Sequence, residues 1–569
     1  MTIDPNIPWL TLLAVVPLVG ALVLWALPRG SRRLARPVAL AFSLVEVLLV
    51  VAAVAAFDTS RAAVHQLAET HAWIPQIGAS YAVAVDGVGL LLVVLSVALV
   101  PLVIGAAWRE QGVSGAASTR RAKVTVGSVG SVGSVVGADD ASGADGLPGA
   151  AGPESTTDVV LREAGEGRLR HYLALVLVLQ TFMVLVFSAR DVFLFYVVFE
   201  AMLVPVYFMI GGFGDGARRR YAAIKFLIFS LAGGLVMLAA VIVLYVQGPG
   251  GEQGFLTDNL TGLGLDQTTE RLLFLGFFLA FAIKAPMFPV HSWLPDAAEH
   301  APAGTSVLLV GVLDKVGTFG MLTLCLPLFP DASRWAAPVV IVLAVVSILY
   351  GALLALGQDD LMRLVAYTSV SHFGVIVLGI FAFTQLSVSG ASFYMLNHGI
   401  STGLLFLVGG FVVRRTVTGR SRRISELGGL AKVTPVLAGV FLLAGLSALS
   451  LPGLSTFVSE IMVLVGSFGR YPVAAIVSAF VVVLAALYVL LTYQRIFTGP
   501  VRPELAGTRD LSARERWVVA PLVVALLVLG FVPGPALDLV RDPAAVTLEQ
   551  VGVADVVPLS DAQTEGSDS

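Results

Sequence analysis

Charge is scarce in this sequence. Asp, Glu, Lys and Arg make up only 13% of the 569 residues, while 57% are hydrophobic. An ordinary soluble domain is about 25% charged. So much apolar surface cannot be hidden inside a water-soluble fold, and the chain is read as an integral membrane protein. Cysteine is nearly absent. The single Cys325 excludes an internal disulfide and a Cys-ligated cluster, and in its apolar run it is expected simply to pack. There is no Gly-rich phosphate loop. His291, Asp296, Glu299 and His300 lie close in sequence but miss the H-x-x-E-H spacing of a zinc helix. No metal and no cofactor are therefore expected in this chain. The net charge of −3 gives no reason to expect a nucleic-acid partner. No basic residue precedes the first apolar run; Arg29, Arg32, Arg33 and Arg36 follow it. That order is the reverse of a cleavable signal, so the run is expected to be a retained first span.

What is present is a long series of apolar runs. A spanning helix needs roughly 20 mostly apolar residues. Fourteen stretches qualify: 9–27, 37–57, 87–107, 171–188, 191–211, 221–246, 271–290, 303–326, 337–356, 361–383, 391–413, 435–467, 473–494 and 517–535. Only Ala189-Arg190-Asp191 separates the fourth from the fifth. Asp86, beside Gly87 and Gly89, is expected to mark the start of the third.

Loop charge sets orientation. With the N-terminus outside, the inside loops and their edges carry 26 Lys and Arg and the outside segments six. An even span count returns the acidic C-terminus to the outside. The remaining cations are Lys225, Lys284 and Lys315, all within predicted spans. Lysine, unlike arginine, can lose its proton when desolvated. Residues 111–160, with Gly127-Ser-Val-Gly-Ser-Val-Gly133, have linker composition and read as a disordered inside insertion.

Two spans carry breaks. Span 7 is interrupted at Ala285-Pro286-Met287-Phe288-Pro289, and span 12 at Ser450-Leu451-Pro452-Gly453-Leu454-Ser455. If spans 4–8 and 9–13 are two five-helix units, each break falls in the fourth helix of its unit. The units would enter the membrane from opposite sides, because five is odd. Matching breaks in inverted repeats point to the binding region of ion transporters.

Ionisable groups inside the spans are costly and are functional candidates by default. In chain order they are Glu200, Lys225, Lys284, Lys315, His372, His398 and Glu460. Glu200 could pair with Lys225 or Lys284, though Lys225 could instead snorkel to the inside surface. Asp314 adjoins Lys315, but neighbours on a helix point about 100° apart, so the two need not pair. Each histidine alone could be a satisfied core residue. Together, on successive spans, they can connect the lysines to Glu460, since imidazole titrates near neutral pH. The set amounts to a proton pathway. Glu46, a lone carboxylate in span 2, is expected to be lipid-adjacent and to pair with a neighbouring subunit.

Phe199-Glu200-Ala-Met-Leu-Val-Pro205, the stretch Lys284–Pro302, Lys315-Val-Gly-Thr-Phe-Gly320, Tyr367-Thr-Ser-Val-Ser-His372 and Asn397-His398-Gly399 share a likeness. Together they resemble the antiporter-like proton-pumping subunits of respiratory complex I, the bacterial NADH:quinone oxidoreductase, over about residues 80 to 500. The resemblance implies that Glu200 and Lys284 are a coupled pair and Lys315 the central link. It further implies that His372 and His398 are connectors and Glu460 the exit group. Two sister subunits are expected to carry lysine where this chain has Glu460. Asp314 departs from the pattern, which has an uncharged residue beside that lysine. The implied fold is all-α, with about fourteen transmembrane helices and two inverted five-helix repeats. Its regions are residues 1–110 (three helices), 111–169 (cytoplasmic insertion), 170–326 and 337–497 (the repeats) and 498–569 (last helix and acidic tail). The implied role is a translocase subunit without a redox centre of its own, in a bacterial inner membrane. Its partners would be other membrane subunits, the lipid bilayer and protons. The alternative is a subunit of a multisubunit cation/proton antiporter or of a membrane-bound hydrogenase.

Overall fold

The computed structural model of the chain describes residues 7–28, 33–108, 156–416 and 421–555. Residues 111–155 of the expected insertion lie outside the described residues; residues 156–169, expected to belong to it and disordered as far as 160, instead begin the helix Thr156–Ser188. Helices α1 (Trp9–Ala26) and α2 (Ala35–Ala56) are followed by an antiparallel hairpin, β1 (Gln66–Ile74) and β2 (Ala79–Val85). Next come α3 (Gly87–Ala107), α4 (Thr156–Ser188), α5 (Val192–Phe213) and α6 (Arg219–Gln247). α7 (Gln267–Lys284) and the short α8 (Trp293–His300) precede α9 (Ala303–Leu328), α10 (Pro330–Leu356), α11 (Leu361–Phe381) and α12 (Gln385–Val413). The series closes with α13 (Pro435–Ala448), α14 (Ser455–Phe468), α15 (Pro472–Phe497), α16 (Ala513–Phe531) and α17 (Gly534–Val551).

Among the described residues eleven helices are long and apolar enough to cross a bilayer, or twelve if α16 and α17 count as one bent span. The expected spans that fall short have identifiable causes. α7 carries Glu270, Arg271 and Lys284 and stops at Pro286, α13 and α14 are the halves of a broken span, and α16 bends by 68° into α17.

The breaks follow from local chemistry. Pro286 and Pro289 cannot donate backbone hydrogen bonds, so helix carbonyls near the end of α7 lose their partners. Met287 N takes Ala282 O at 3.0 Å, and the Trp293 indole N–H donates to Ile283 O at 2.9 Å. Between α13 and α14, Ser450 and Gly453 have left-handed backbones (φ 57° and 91°) that no helix continues through. The turn between α4 and α5 is equally definite. Asp191 caps α5 by accepting from Leu194 N at 2.9 Å, and it also accepts from Ser80 N of β2 at 2.8 Å. The two runs are therefore separate helices. Asp86 caps α3 in the same manner, accepting from Gly89 N at 2.7 Å, as its place in the sequence suggests.

Two elements are not among the expected spans. In the β-hairpin, Glu69 accepts from Leu10 N (3.0 Å) and Thr11 N (3.2 Å), satisfying free donors at the start of α1. The second element is α17. The 498–569 region was expected to end in an acidic tail, yet 534–551 is an amphipathic helix laid across the ends of other helices. Its Leu539 carbonyl sits where a Cβ on Gly87 would be, at 1.8 Å, so α3 can start there only with glycine. Arg334 donates to Val551 O at 2.7 Å.

Burial decides where chemistry can happen. The spanning windows of α9, α11 and α12 are 94, 100 and 94% buried, whereas those of α2, α6 and α15 are 28, 39 and 33% buried. The first three are inner helices, and they carry Lys315, His372 and His398. Exposed Leu44, Leu48, Val51, Ile228, Leu235, Val339, Val342 and Val483 belong to outer helices and suit a lipid surround. Glu46 does not belong with them. It is fully buried with no hydrogen-bond partner, on the inward face of α2 with Ser43 and Val50. The lipid-adjacent expectation fails because α2 turns Leu44, Val45 and Leu48 outward instead.

Candidate functional site

Glu200 stands near the middle of α5, against α6. A Cβ on Gly234 of α6 would lie 1.6 Å from Glu200 Oε1 and 2.5 Å from its carboxyl carbon. Glycine at 234 therefore makes the recess that holds this carboxylate. Lys284, the last residue of α7, is fully buried, and its ammonium lies 4.6 Å from the centre of the Phe199 ring. Neither Lys284 Nζ nor either Glu200 oxygen has a hydrogen-bond partner among the described residues. The acidic groups whose charges reach Lys284 are Glu200 and Asp314. Glu200 and Lys284, expected as a couple, thus make no hydrogen bond to each other.

α9 brings the next group. Two π-helical turns, Leu309–Leu313 and Met321–Cys325, flank the α-helical turns Lys315–Gly320. π turns inside α-helices frequently mark functional sites. Lys315 is fully buried and donates to Val310 O of the first π turn at 2.5 Å. Its Nζ also lies 2.7 Å from His398 Nδ1 and 4.9 Å from the centre of the Phe373 ring. Asp314 points elsewhere, fully buried, with both carboxylate oxygens unpartnered.

From His398 the chain of polar groups continues on α12 and α11. The rings of His398 and His372 are 5.4 Å apart. His372 Nδ1 lies 2.8 Å from Tyr394 Oη, and that hydroxyl donates to Glu460 Oε2 at 2.7 Å. Ser450, in the break between α13 and α14, donates to the same oxygen at 2.6 Å. All of these groups are buried. The structure therefore joins Lys315, His398, His372 and Glu460 into one series.

Lys225 is placed differently. Its ammonium donates to Asp296 Oδ2 at 2.7 Å and to Ser292 O at 2.8 Å, and Arg363 donates to Asp296 Oδ1 at 2.6 Å and Glu299 Oε2 at 2.9 Å. Its direct partner is thus Asp296, not Glu200. This network ties α6 and α8 to the start of α11. Burial raises the Asp296 carboxyl, but the hydrogen bonds and charges of Lys225 and Arg363 outweigh it and hold the group below the usual carboxylate range. Burial pushes the His291 imidazole down, and the charge of Lys225 adds to this. Asp296 and Glu299, considered above for a metal, serve as ion-pair partners.

Sequence reasoning missed Tyr394 and the Ser450 hydroxyl. Tyr394 had a readable signal: it lies one turn before His398 on the same helix, so both reach the same neighbours. Ser450 had none, because its contact with Glu460 depends on a left-handed turn.

The family described as NADH:quinone oxidoreductase/Mrp antiporter, transmembrane, matches residues 189–487. The chain is similar to NADH-quinone oxidoreductase subunit M of Mycobacterium tuberculosis, 44% identical, over 97% of this chain and 96% of that one. It is similar to the protein of the same name from Rhodobacter capsulatus, 35% identical, over 97% and 98%. Among solved structures it resembles a chain of respiratory complex I from Thermus thermophilus with bound NADH. That likeness has TM-score 0.77 and 28% identity, and it covers 95% of this chain and all of that one. A chain of the Mrp complex from Dietzia shares the fold at TM-score 0.76 and 22% identity, over 96% and 99%.

Proposed function

Because the chain belongs to the NADH:quinone oxidoreductase/Mrp antiporter family of transmembrane proteins, we propose that it is the subunit M type, proton-translocating membrane subunit of an NADH:quinone oxidoreductase. It moves protons through its own side chains, while the redox chemistry that drives them takes place in other subunits. The observation that carries this reading is the buried series Lys315–His398–His372–Tyr394–Glu460, with separations of 2.7, 5.4, 2.8 and 2.7 Å along it. A membrane interior holds so many protonatable groups in one file only at a cost that function offsets. Glu200 and Lys284 are the input pair. A change in the field that they feel moves the proton of Lys284 toward Lys315, and Glu460 receives it at the far end. Lys225 stands outside this file as the partner of Asp296. The fourteen spans, the two inverted five-helix repeats, both termini outside and a bacterial inner membrane belong to the same proposal. Neighbouring membrane subunits and lipid surround it.

Lys284→Ala tests it. Membranes carrying the variant complex are expected to oxidise NADH with quinone when uncoupled but to lose this subunit's share of proton pumping, read as quenching of a pH-sensitive dye. A variant complex that pumps at the wild-type proton-to-electron ratio would sink the assignment. Copurification tests the complex itself. NADH- and quinone-reactive subunits are expected with the tagged chain, and antiporter or hydrogenase partners would replace this reading.

A further inference from the structure

The proposed file has no group assigned to carry a proton from Lys284 on α7 to Lys315 on α9. Lys315 is committed to Val310 O and His398 on its far side, and Lys284 has no hydrogen-bond partner. α7 and α9 approach closely here. A Cβ on Gly317 would lie 2.5 Å from both Ala285 N and Phe281 O, and one on Gly320 would meet the Phe281 ring at 2.4 Å. Residues three apart share a helix face. Asp314 is three residues before Gly317 and so lies one turn away on the side of α9 that meets Ala285, the residue after Lys284, at Gly317. Lys315 is rotated about 100° from it, toward α11 and α12. The Asp314 carboxylate is fully buried and both of its oxygens are unpartnered. The positive charges that reach it are those of Lys315 and Lys284.

A buried carboxylate left without hydrogen bonds is too costly to be mere packing. A fixed ion pair would bring an ammonium into contact with it, and neither lysine makes that contact. We propose that Asp314 is the proton carrier between the two lysines, filling that interval in the pathway on which the function above rests. In the first step an N–H bond of the Lys284 ammonium breaks and an O–H bond forms on Asp314, leaving a neutral amine and a carboxylic acid. In the second, once Lys315 has passed its own proton to His398 Nδ1, 2.7 Å away, that O–H bond breaks and an N–H bond forms on the now neutral Lys315 amine, restoring the carboxylate. One proton advances, and Asp314 is reset.

The test compares Asp314→Asn, Asp314→Glu and Lys284→Ala in the intact membrane complex. A positioned proton-transfer group contributes on the order of 100-fold or more in rate. D314N, of nearly the same shape, is therefore expected to slow proton uptake coupled to NADH oxidation about 100-fold, with uncoupled NADH oxidation kept. D314E is expected to recover most of the rate. The wild-type complex supplies a readout that does not depend on assembly of a variant. With carboxyl-labelled aspartate, the infrared difference spectrum on adding NADH is expected to show an isotope-shifted protonated-carboxyl band, absent from D314N. If D314N pumps as wild type while K284A fails, the Asp314 link is overturned and the pathway stands. If K284A also pumps as wild type, the pathway itself falls. If D314N does not assemble, the label decides alone: no isotope-shifted aspartate band overturns the link.

Discussion

Tyr394→Phe is the sharpest perturbation the structure offers, because it removes one oxygen and little else. That oxygen lies 2.8 Å from His372 Nδ1 and donates to Glu460 Oε2 at 2.7 Å. Without it the two groups face each other across roughly 4.5–5.5 Å, beyond hydrogen-bond reach. The ring still fills its place, so there is little new room for a water to stand in. Glu460 keeps the Ser450 hydroxyl at 2.6 Å, while His372 Nδ1 is left with none. An unsatisfied buried group costs about 1–3 kcal/mol, a loss that a large membrane bundle tolerates. The kinetic effect is greater. Losing a positioned proton donor–acceptor costs on the order of 100-fold in rate, about 2.7 kcal/mol in barrier. The assay is stopped-flow acidification of vesicles containing the whole complex, with uncoupled NADH oxidation as the control. Y394F is expected to pump about 100-fold more slowly and to oxidise NADH normally when uncoupled. If Y394F pumps at the wild-type rate, the proton does not pass through this hydroxyl, and the order of the series is wrong.

The remaining predictions are more local. Gly234→Ala places a Cβ 1.6 Å from Glu200 Oε1, so the carboxylate must leave its recess. Pumping is expected to fall as in Glu200→Gln, with assembly retained, and wild-type pumping in G234A would show that the recess is irrelevant. Asp296 gives a pH signature. Its folded carboxyl lies below the ordinary value near 3.9 because Lys225 and Arg363 hold it charged against the effect of burial. Its stabilisation is therefore present above that value and lost as pH falls through the lower folded one. The site is part-exposed, so the contribution is about 0.5–1 kcal/mol after screening. The thermal-stability gap between wild type and Asp296→Asn, measured on the purified complex, should be constant above about pH 5 and close on further acidification. A gap that does not change with pH would contradict the ion-pair account.

Much of the fold was legible because a bilayer leaves few options. Long apolar runs must be helices, and the two breaks announced themselves through Pro286, Pro289, Pro452 and Gly453. The candidate side chains were legible for the complementary reason: an ionisable group inside an apolar run is costly and stands out. What could not be read was direction around each helix. Lys225 stood in sequence beside the relay residues, yet it turns to Asp296. Glu46 looked lipid-adjacent and is fully enclosed. Both outcomes depend on which face of α6 or α2 meets its neighbours, and near-uniform apolarity hides that. α17 was missed although its buried positions, Leu537, Val540, Ala544, Leu548 and Val551, recur every three or four residues. The acidic residues between them drew attention first.

The π turns of α9 have a consequence for chain length. Each takes one residue more than an α-helical turn and absorbs it within the wider turn. If one residue between Leu309 and Leu313 were deleted, the turn would close into regular α-helix with the flanking faces nearly unrotated. What would be lost is the wide turn itself, whose Val310 O accepts from Lys315 Nζ at 2.5 Å. The spacing of this segment is therefore as binding as its composition. Homologues should vary freely in which apolar residues fill Leu309–Leu313 and Met321–Cys325, but not in how many there are.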